Sequence, residues 1–320
     1  MYKALIGFTL LGFSFCVCAN EIASVQYFEH KGFTESSAIG EGVNADTPFA
    51  IASVGKTMTS VALLRLVERG KLTLDDDATN WLPVSVVSGF SGLNGVTVRH
   101  LLAMTSGLPD YYVDDYIVDA MDDPDSVQTP LAALRYAYDE DVLFEPGVEF
   151  DYSNTNYVLA GLIAEAASGL SYAALMQQEV FAPAGMKLSF VFGSQPLPSD
   201  FPNGHEGGVH ERTYYEYQGF GDGGVISTAN DLAAFYRALF VEDTLLSSEL
   251  MEDFTYDETG AGYGLGIEVG DTVFGHSGGD IGFSSDVRID TSTGAIAIYF
   301  KAASGADLSW TADVLETVVE

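Results

Sequence analysis

The chain has 320 residues, 47% of them hydrophobic and 12% aromatic, with 46 acidic side chains against 13 basic ones. That length suffices for one large domain or two closely packed ones, and the aromatic content excludes a disordered chain. A formal net charge of −33 repels nucleic-acid phosphates and anionic membranes, so nucleic-acid binding is excluded, and the acids, densest at Asp75-Asp76-Asp77 and through 110–125, read as a solvated surface.

The first residues have the form of a secretory signal. Lys3 precedes an apolar stretch at 4–15, and Val17-Cys18-Ala19 offers a small-residue cleavage site before Asn20. The stretch is too short to span a bilayer. Phe15 and Val17, standing before Cys16 and Cys18, argue against a lipid anchor. Both cysteines lie in this leader, so a chain starting at Asn20 has no thiol, disulfide or cysteine metal ligand. The expectation is a periplasmic or secreted monomer with no transmembrane anchor.

After the leader, two strands at 24–29 and 33–40 are predicted to form a hairpin about a Lys31-Gly32 turn. A buried helix is predicted over 53–69 with Gly70 as its stop, since Met58, Val61, Ala62, Leu64 and Leu66 make it apolar on most sides. Helices follow at 131–138, 156–168, 171–181 (closed by Pro183) and 231–240. Strands are predicted at 266–269, 272–274, 284–289 and 295–300, then a last helix at 308–319. The expected fold is α/β. An antiparallel sheet domain (20–75 and 225–320) is flanked by helices, and 76–224 forms an inserted, mainly helical domain.

Three short motifs carry chemistry. Ser53-Val54-Gly55-Lys56 at a helix start puts an ammonium one turn from a hydroxyl, which activates a serine without histidine. In Tyr152-Ser153-Asn154, a tyrosine beside a lysine can serve as base or proton relay, and the asparagine amide can hold both the lysine and a substrate amide. Gly275-His276-Ser277-Gly278-Gly279, placed between two predicted strands, has glycines that allow close approach of a ligand backbone. The Gly279 and Ser53 N–H groups can then share an oxyanion hole, and His276 can place a substrate carboxylate or pass a proton.

In this order the motifs resemble those of the serine β-lactamase-related hydrolases: class C β-lactamases, D-alanyl-D-alanine carboxypeptidases and related esterases. The resemblance extends to 101–108, to Phe144-Glu145-Pro146-Gly147 with 150–157, to 223–232 and to 263–266. It implies a cofactor-free serine hydrolase, without a metal, acting on a small-molecule, peptide or ester substrate. Ser53 is then the nucleophile, Lys56 with Tyr152 the base, and Asn154 a substrate ligand. His276, Ser277 and Gly278 line the site, and Gly279 completes the oxyanion hole. The substrate expected first is a cell-wall D-alanyl-D-alanine peptide, then an ester, then a β-lactam. The chain departs from the family in lacking room for a helix before its first strands, in Met104 where a histidine is frequent, and in His276 where class C β-lactamases carry lysine.

Three rival readings are weighed. Residues 275–279 also fit G-x-S-x-G with Ser277 as nucleophile, but no histidine follows it and the next segment reads as loop and strand. His205-Glu206 and His210-Glu211 resemble metal-ligand pairs, yet their spacing misses one helical face, and a rim loop with Tyr214, Tyr215 and Tyr217 is expected. A catalytically idle binder of cell-wall peptides or β-lactams would keep the fold without turnover.

Overall fold

The computed structural model describes residues 21–206, 209–210, 212–217 and 219–318. The leader at 1–19 and Glu211 lie outside the described residues. The predicted hairpin is present as β1 (Ser24–His30) and β2 (Phe33–Ile39), paired through the Lys31-Gly32 turn. Strand β3 (Phe49–Ala50) leads into α1 (Val54–Glu68). Helix α2 (Val98–Leu102), α3 (Asp114–Asp122) and α4 (Asn154–Ser168) follow, then β4 (Phe190–Val191), β5 (Val225–Ser227) and α5 (Ala229–Phe240). The chain closes with β6 (Glu268–Val269), β7 (Val273–Asp280), β8 (Phe283–Asp290), β9 (Ala295–Lys301) and α6 (Trp310–Glu316).

Six strands make one antiparallel sheet in the order β2-β1-β9-β8-β7-β6, so segments from both ends of the chain pair through β1 and β9. Alternation along β9 divides its two faces. Ile296, Ile298 and Phe300 enter the main core with Val25, Tyr27, Val287 and Ile289. Ala295 and Ala297 face the other way, against Leu315 of α6. Small residues there let the helix lie close, and Trp310 packs edge-on against Tyr299 at 6.3 Å. The result is an antiparallel sheet flanked by helices, with a second, three-stranded sheet β3-β5-β4 beside it. Among the described residues no single helix is long and apolar enough to cross a membrane.

Helix α1 is buried on nearly all sides, as its composition demands. Glu179, fully buried, ties it down through the Arg65 and Arg69 guanidinium groups. The structure differs from expectation in three places. The helix predicted over 131–138 is one turn, Pro130–Leu134, continued as 3-10 turns at Arg135–Ala137. The helix predicted to stop at Pro183 runs on. Tyr172–Met176 widens into π turns at Gln177–Phe181, which accommodate the proline ring, and Ala182–Ala184 ends at Gly185 with φ +74°. The third motif lies inside strand β7 and not between two strands, because Gly275 to Gly279 all pair with β8.

Candidate active site

Ser53 stands where β3 passes into α1. The Ile51 N–H bonds to Val225 O at 3.1 Å, and the Ile51 carbonyl accepts from Ser285 Oγ at 2.6 Å, so both neighbouring strands hold the approach. Ala52 then takes φ +47°, a left-handed conformation that a residue with a Cβ adopts only under constraint. This bend delivers Ser53 as N-cap of α1, at the end where orphan N–H groups favour negative charge.

Lys56 Nζ lies 2.9 Å from Ser53 Oγ, 2.7 Å from Asn154 Oδ1 and 2.5 Å from Asp222 O, and the residue is fully buried. Two of these partners can only accept, whereas the hydroxyl can also donate. An amine giving its two protons to Asn154 and Asp222 therefore presents its lone pair to the Ser53 hydroxyl.

Asn154 opens α4, and its orientation is fixed by a residue the sequence reading assigned to the solvated surface. Asp110 accepts from the Asn154 N–H and Nδ2, both at 3.0 Å, which turns Oδ1 toward Lys56. The 101–108 loop braces the same helix. Tyr157 Oη donates to Leu102 O at 2.8 Å, and Met104, buried against the Asn156 amide, fills a packing position. Tyr152 places its ring 5.1 Å from Lys56 Nζ and 6.2 Å from the His276 ring. Among the described residues no hydrogen bond joins its hydroxyl to Ser53 or Lys56.

Strand β7 forms the opposite wall. The Ser277 N–H and Oγ both donate to Glu268 Oε1, at 3.0 and 2.8 Å, so Ser277 turns its backbone N–H away from β8. Antiparallel pairing alternates, and Gly279, two residues on, turns its N–H the same way, into the cleft beside Ser53. Gly278 is required by close approach, since a Cβ there would stand 2.5 Å from Ile51 O, whereas a Cβ at Gly279 meets nothing. His276 is buried, with Nε2 3.0 Å from Tyr263 Oη and Nδ1 2.5 Å from Ser277 O. Burial pushes its imidazole down to about 4, against the pull of Glu268. It is neutral at pH 7, so it offers no positive charge to a substrate carboxylate. Arg288, the other nearby cation, is engaged by Asp286 at 2.7 Å and Glu268 at 2.6 Å.

Beside Ser53 opens a cavity of 160 Å³, reaching from Asn154 and Gly279 inward to Asp222, Asp280 and a wall of tyrosines. Residues 110, 222, 263, 268 and 280 were all missed as site residues. Asp222 carried the one available signal, a lone acid in the glycine-rich run Gly219-Phe220-Gly221-Asp222-Gly223-Gly224. The rival serine, Ser277, is mid-strand with an exposed side chain on Glu268 and has no strand-to-helix elbow. His205 and His210 pair across a short hairpin, and no group of His, Cys, Asp or Glu able to hold a metal occurs among the described residues.

The Beta-lactamase family model matches residues 15–311. Penicillin-binding protein 4* of Bacillus subtilis (strain 168) is 30% identical over 298 residues, covering 85% of this chain and 64% of the relative. The chain thus spans less than two thirds of that relative's length. A penicillin-binding protein from Bacillus halodurans superposes with a TM-score of 0.80 at 25% identity, covering 92% of this chain and 95% of the other. A D-stereospecific amidohydrolase from Streptomyces sp. gives a TM-score of 0.80 at 25% identity, covering 93% and 95%. With the fold, the matched length and the order of the motifs in agreement, the chain belongs to the beta-lactamase family.

Proposed function

We propose that the protein hydrolyses amide bonds of short D-amino-acid-containing substrates through an acyl-enzyme on Ser53. The carrying observation is the contact of the buried Lys56 amine with Ser53 Oγ at 2.9 Å, with Ser53 on the wall of a recessed cavity. In the forward step Ser53 Oγ bonds to the carbonyl carbon while its proton passes to Lys56. The Ser53 and Gly279 N–H groups hold the oxyanion. Collapse breaks the C–N bond, and Tyr152, with its ring against Lys56 and its hydroxyl unengaged among the described residues, relays the proton to the leaving nitrogen. Water then attacks the ester by the reverse path and frees the acid and Ser53.

D-alanyl-D-alanine carboxypeptidase-like action on cell-wall peptides is the first activity to assay, and the leader at 1–19 supports export to where those peptides lie. The related penicillin-binding proteins and the D-stereospecific amidohydrolase support the amide reading. One observation favours carboxylesterase activity as the second reading. His276 is neutral, Arg288 is engaged, and among the described residues no lysine or arginine lines the cavity or the cleft beside Ser53, so no cation there meets a terminal carboxylate. The same observation counts against efficient β-lactam turnover.

The test is intact-mass spectrometry after exposure to a penicillin and to a D-alanyl-D-alanine peptide, beside Ser53→Ala and Ser277→Ala. A covalent adduct or turnover lost in Ser53→Ala and largely kept in Ser277→Ala is expected. The reverse pattern overturns the proposal, and an adduct that is never released would mark an idle binder.

A further inference from the structure

The cavity beside Ser53 is built for charge of one sign. Its inner end presents two carboxylates, Asp222 and Asp280, each tied by one oxygen and a tyrosine. Tyr111 Oη donates to Asp222 Oδ2 at 2.6 Å, and Tyr112 Oη donates to Asp280 Oδ1 at 2.9 Å, as does the Ile281 N–H at 2.8 Å. The tyrosines also form the cavity's side. Tyr116 meets the Tyr111 ring edge-on at 4.8 Å and the Tyr112 ring at 5.3 Å, and its hydroxyl meets Tyr214 Oη at 3.1 Å.

Aromatic faces and carboxylates together attract a cation, and both repel an anion. Among the described residues no lysine or arginine lines this cavity, and the nearby Lys56 amine is engaged by Ser53, Asn154 and Asp222 O. Burial raises both carboxyl groups; the Asp222 charge adds to the rise at Asp280, and Lys56 opposes it at Asp222.

The two sides of Ser53 also differ in shape. The tyrosine side is the more closed of the two, a recess of 160 Å³ on the scale of one amino-acid residue, whereas the side along Tyr152, His276 and Ser277 is a shallower cleft at the surface. The part of a substrate that stays bonded to Ser53 belongs on the closed side, and the part that departs belongs on the open one. We infer that the closed side takes an acyl group bearing a free primary ammonium, held between Asp222 and Asp280 against the tyrosine wall. The substrates are then esters or amides of amino acids whose amino group is unblocked, cleaved on the carbonyl side of that residue. This rests on the acyl-enzyme reading and narrows its substrate class.

Three substrates test it on the purified protein: 4-nitrophenyl acetate, alanine 4-nitroanilide with a free amine, and its N-acetyl counterpart, each alanyl compound in both enantiomers. A kcat/KM ratio of free amine to N-acetyl above tenfold is expected, nearer 100-fold for a buried charge-assisted contact. Asp280→Asn should cut that ratio at least tenfold. Because the ratio is taken within one preparation, a smaller folded fraction cancels from it.

A ratio at or below tenfold in the unmodified protein, a ratio unmoved by Asp280→Asn, or cleavage of neither alanyl compound overturns the inference. Acetylation of Ser53 by 4-nitrophenyl acetate, read by mass, separates the two failures. With that adduct present only the ammonium reading falls, and without it the acyl-enzyme reading falls as well.

Discussion

Lys56 was legible in the sequence because its partner stands three residues away on the same helix, a spacing that fixes both side chains on one face. Its other partners come from 98 and 166 residues away, and no local pattern announces them. Lys56→Ala should lower kcat/KM on any cleaved substrate by about 10³-fold, with Ser53 acylation slowed in the same measure. A near-normal rate would remove the amine from the mechanism.

His276 was legible as a site residue but not in its charge state, which burial decides. Its imidazole should show no titration between pH 5 and 8 by nuclear magnetic resonance, whereas a midpoint near 6.5 would restore it as a cation. The sign of its effect on stability follows. An unfolded histidine takes up its proton as pH falls through 6.5, and the buried one resists until about 4. Stability is therefore present above 6.5 and lost on acidification toward 4, by about 3 kcal/mol relative to His276→Gln in urea unfolding. Asp280 is raised to about 6 by burial and by the neighbouring Asp222, whose own carboxyl is raised in the same direction, so any preference for an ammonium substrate should decay as the pH is lowered through that value, while the Tyr112 hydroxyl, raised well above its ordinary range, stays protonated.

At the scale of elements, the turn into α1 and strand β7 set the distance across the cleft. Ala52 at φ +47° carries strain that glycine would not, so Ala52→Gly should raise unfolding stability by up to about 1 kcal/mol while loosening the angle at which Ser53 is presented. Gly278→Ala should cost about 1–3 kcal/mol and most activity, because the methyl group meets the Ile51 carbonyl that supports the same turn. Gly279→Ala should fold normally, since its Cβ faces open space. Thermal midpoints and kcat/KM of the two variants, measured side by side, check the contrast.

Periodicity found α1, α4 and the terminal strands because each has one consistent burial pattern along its length. It misjudged 171–184, where a π turn carries the helix past a proline, and 131–138, where tightening into 3-10 turns leaves no sequence mark. Strand β7 was read too short because its glycines signal a turn as readily as a strand under close approach.

For the whole molecule, 46 acids against 13 basic residues mean that few surface charges find an opposite partner, and the folded state holds its own repulsion. Raising potassium chloride from ~0.05 to ~0.5 M should therefore raise the thermal midpoint as screening shortens the reach of that repulsion. A falling midpoint would mean that the ion pairs of Glu179 with Arg65 and Arg69, and of Glu29 with Arg237 at 2.6 Å, outweigh it. The family and its sheet were legible from motif order because both ends of the chain supply the sheet. The acidic cavity was not, since Asp280 reads like every other acid until the fold sets it on the same cavity as Asp222.

The hairpin at the sheet's edge has a practical use. Every residue of β2 is exposed, and Lys31 and Gly32 turn the chain at φ +48° and +78°, the geometry of a tight two-residue reversal. No residue of the strand or its turn lines the cavity or belongs to the apolar core, so the chain can be opened at the turn to splice in an epitope, or to move its termini in a circular permutant, with the cleft left as it is.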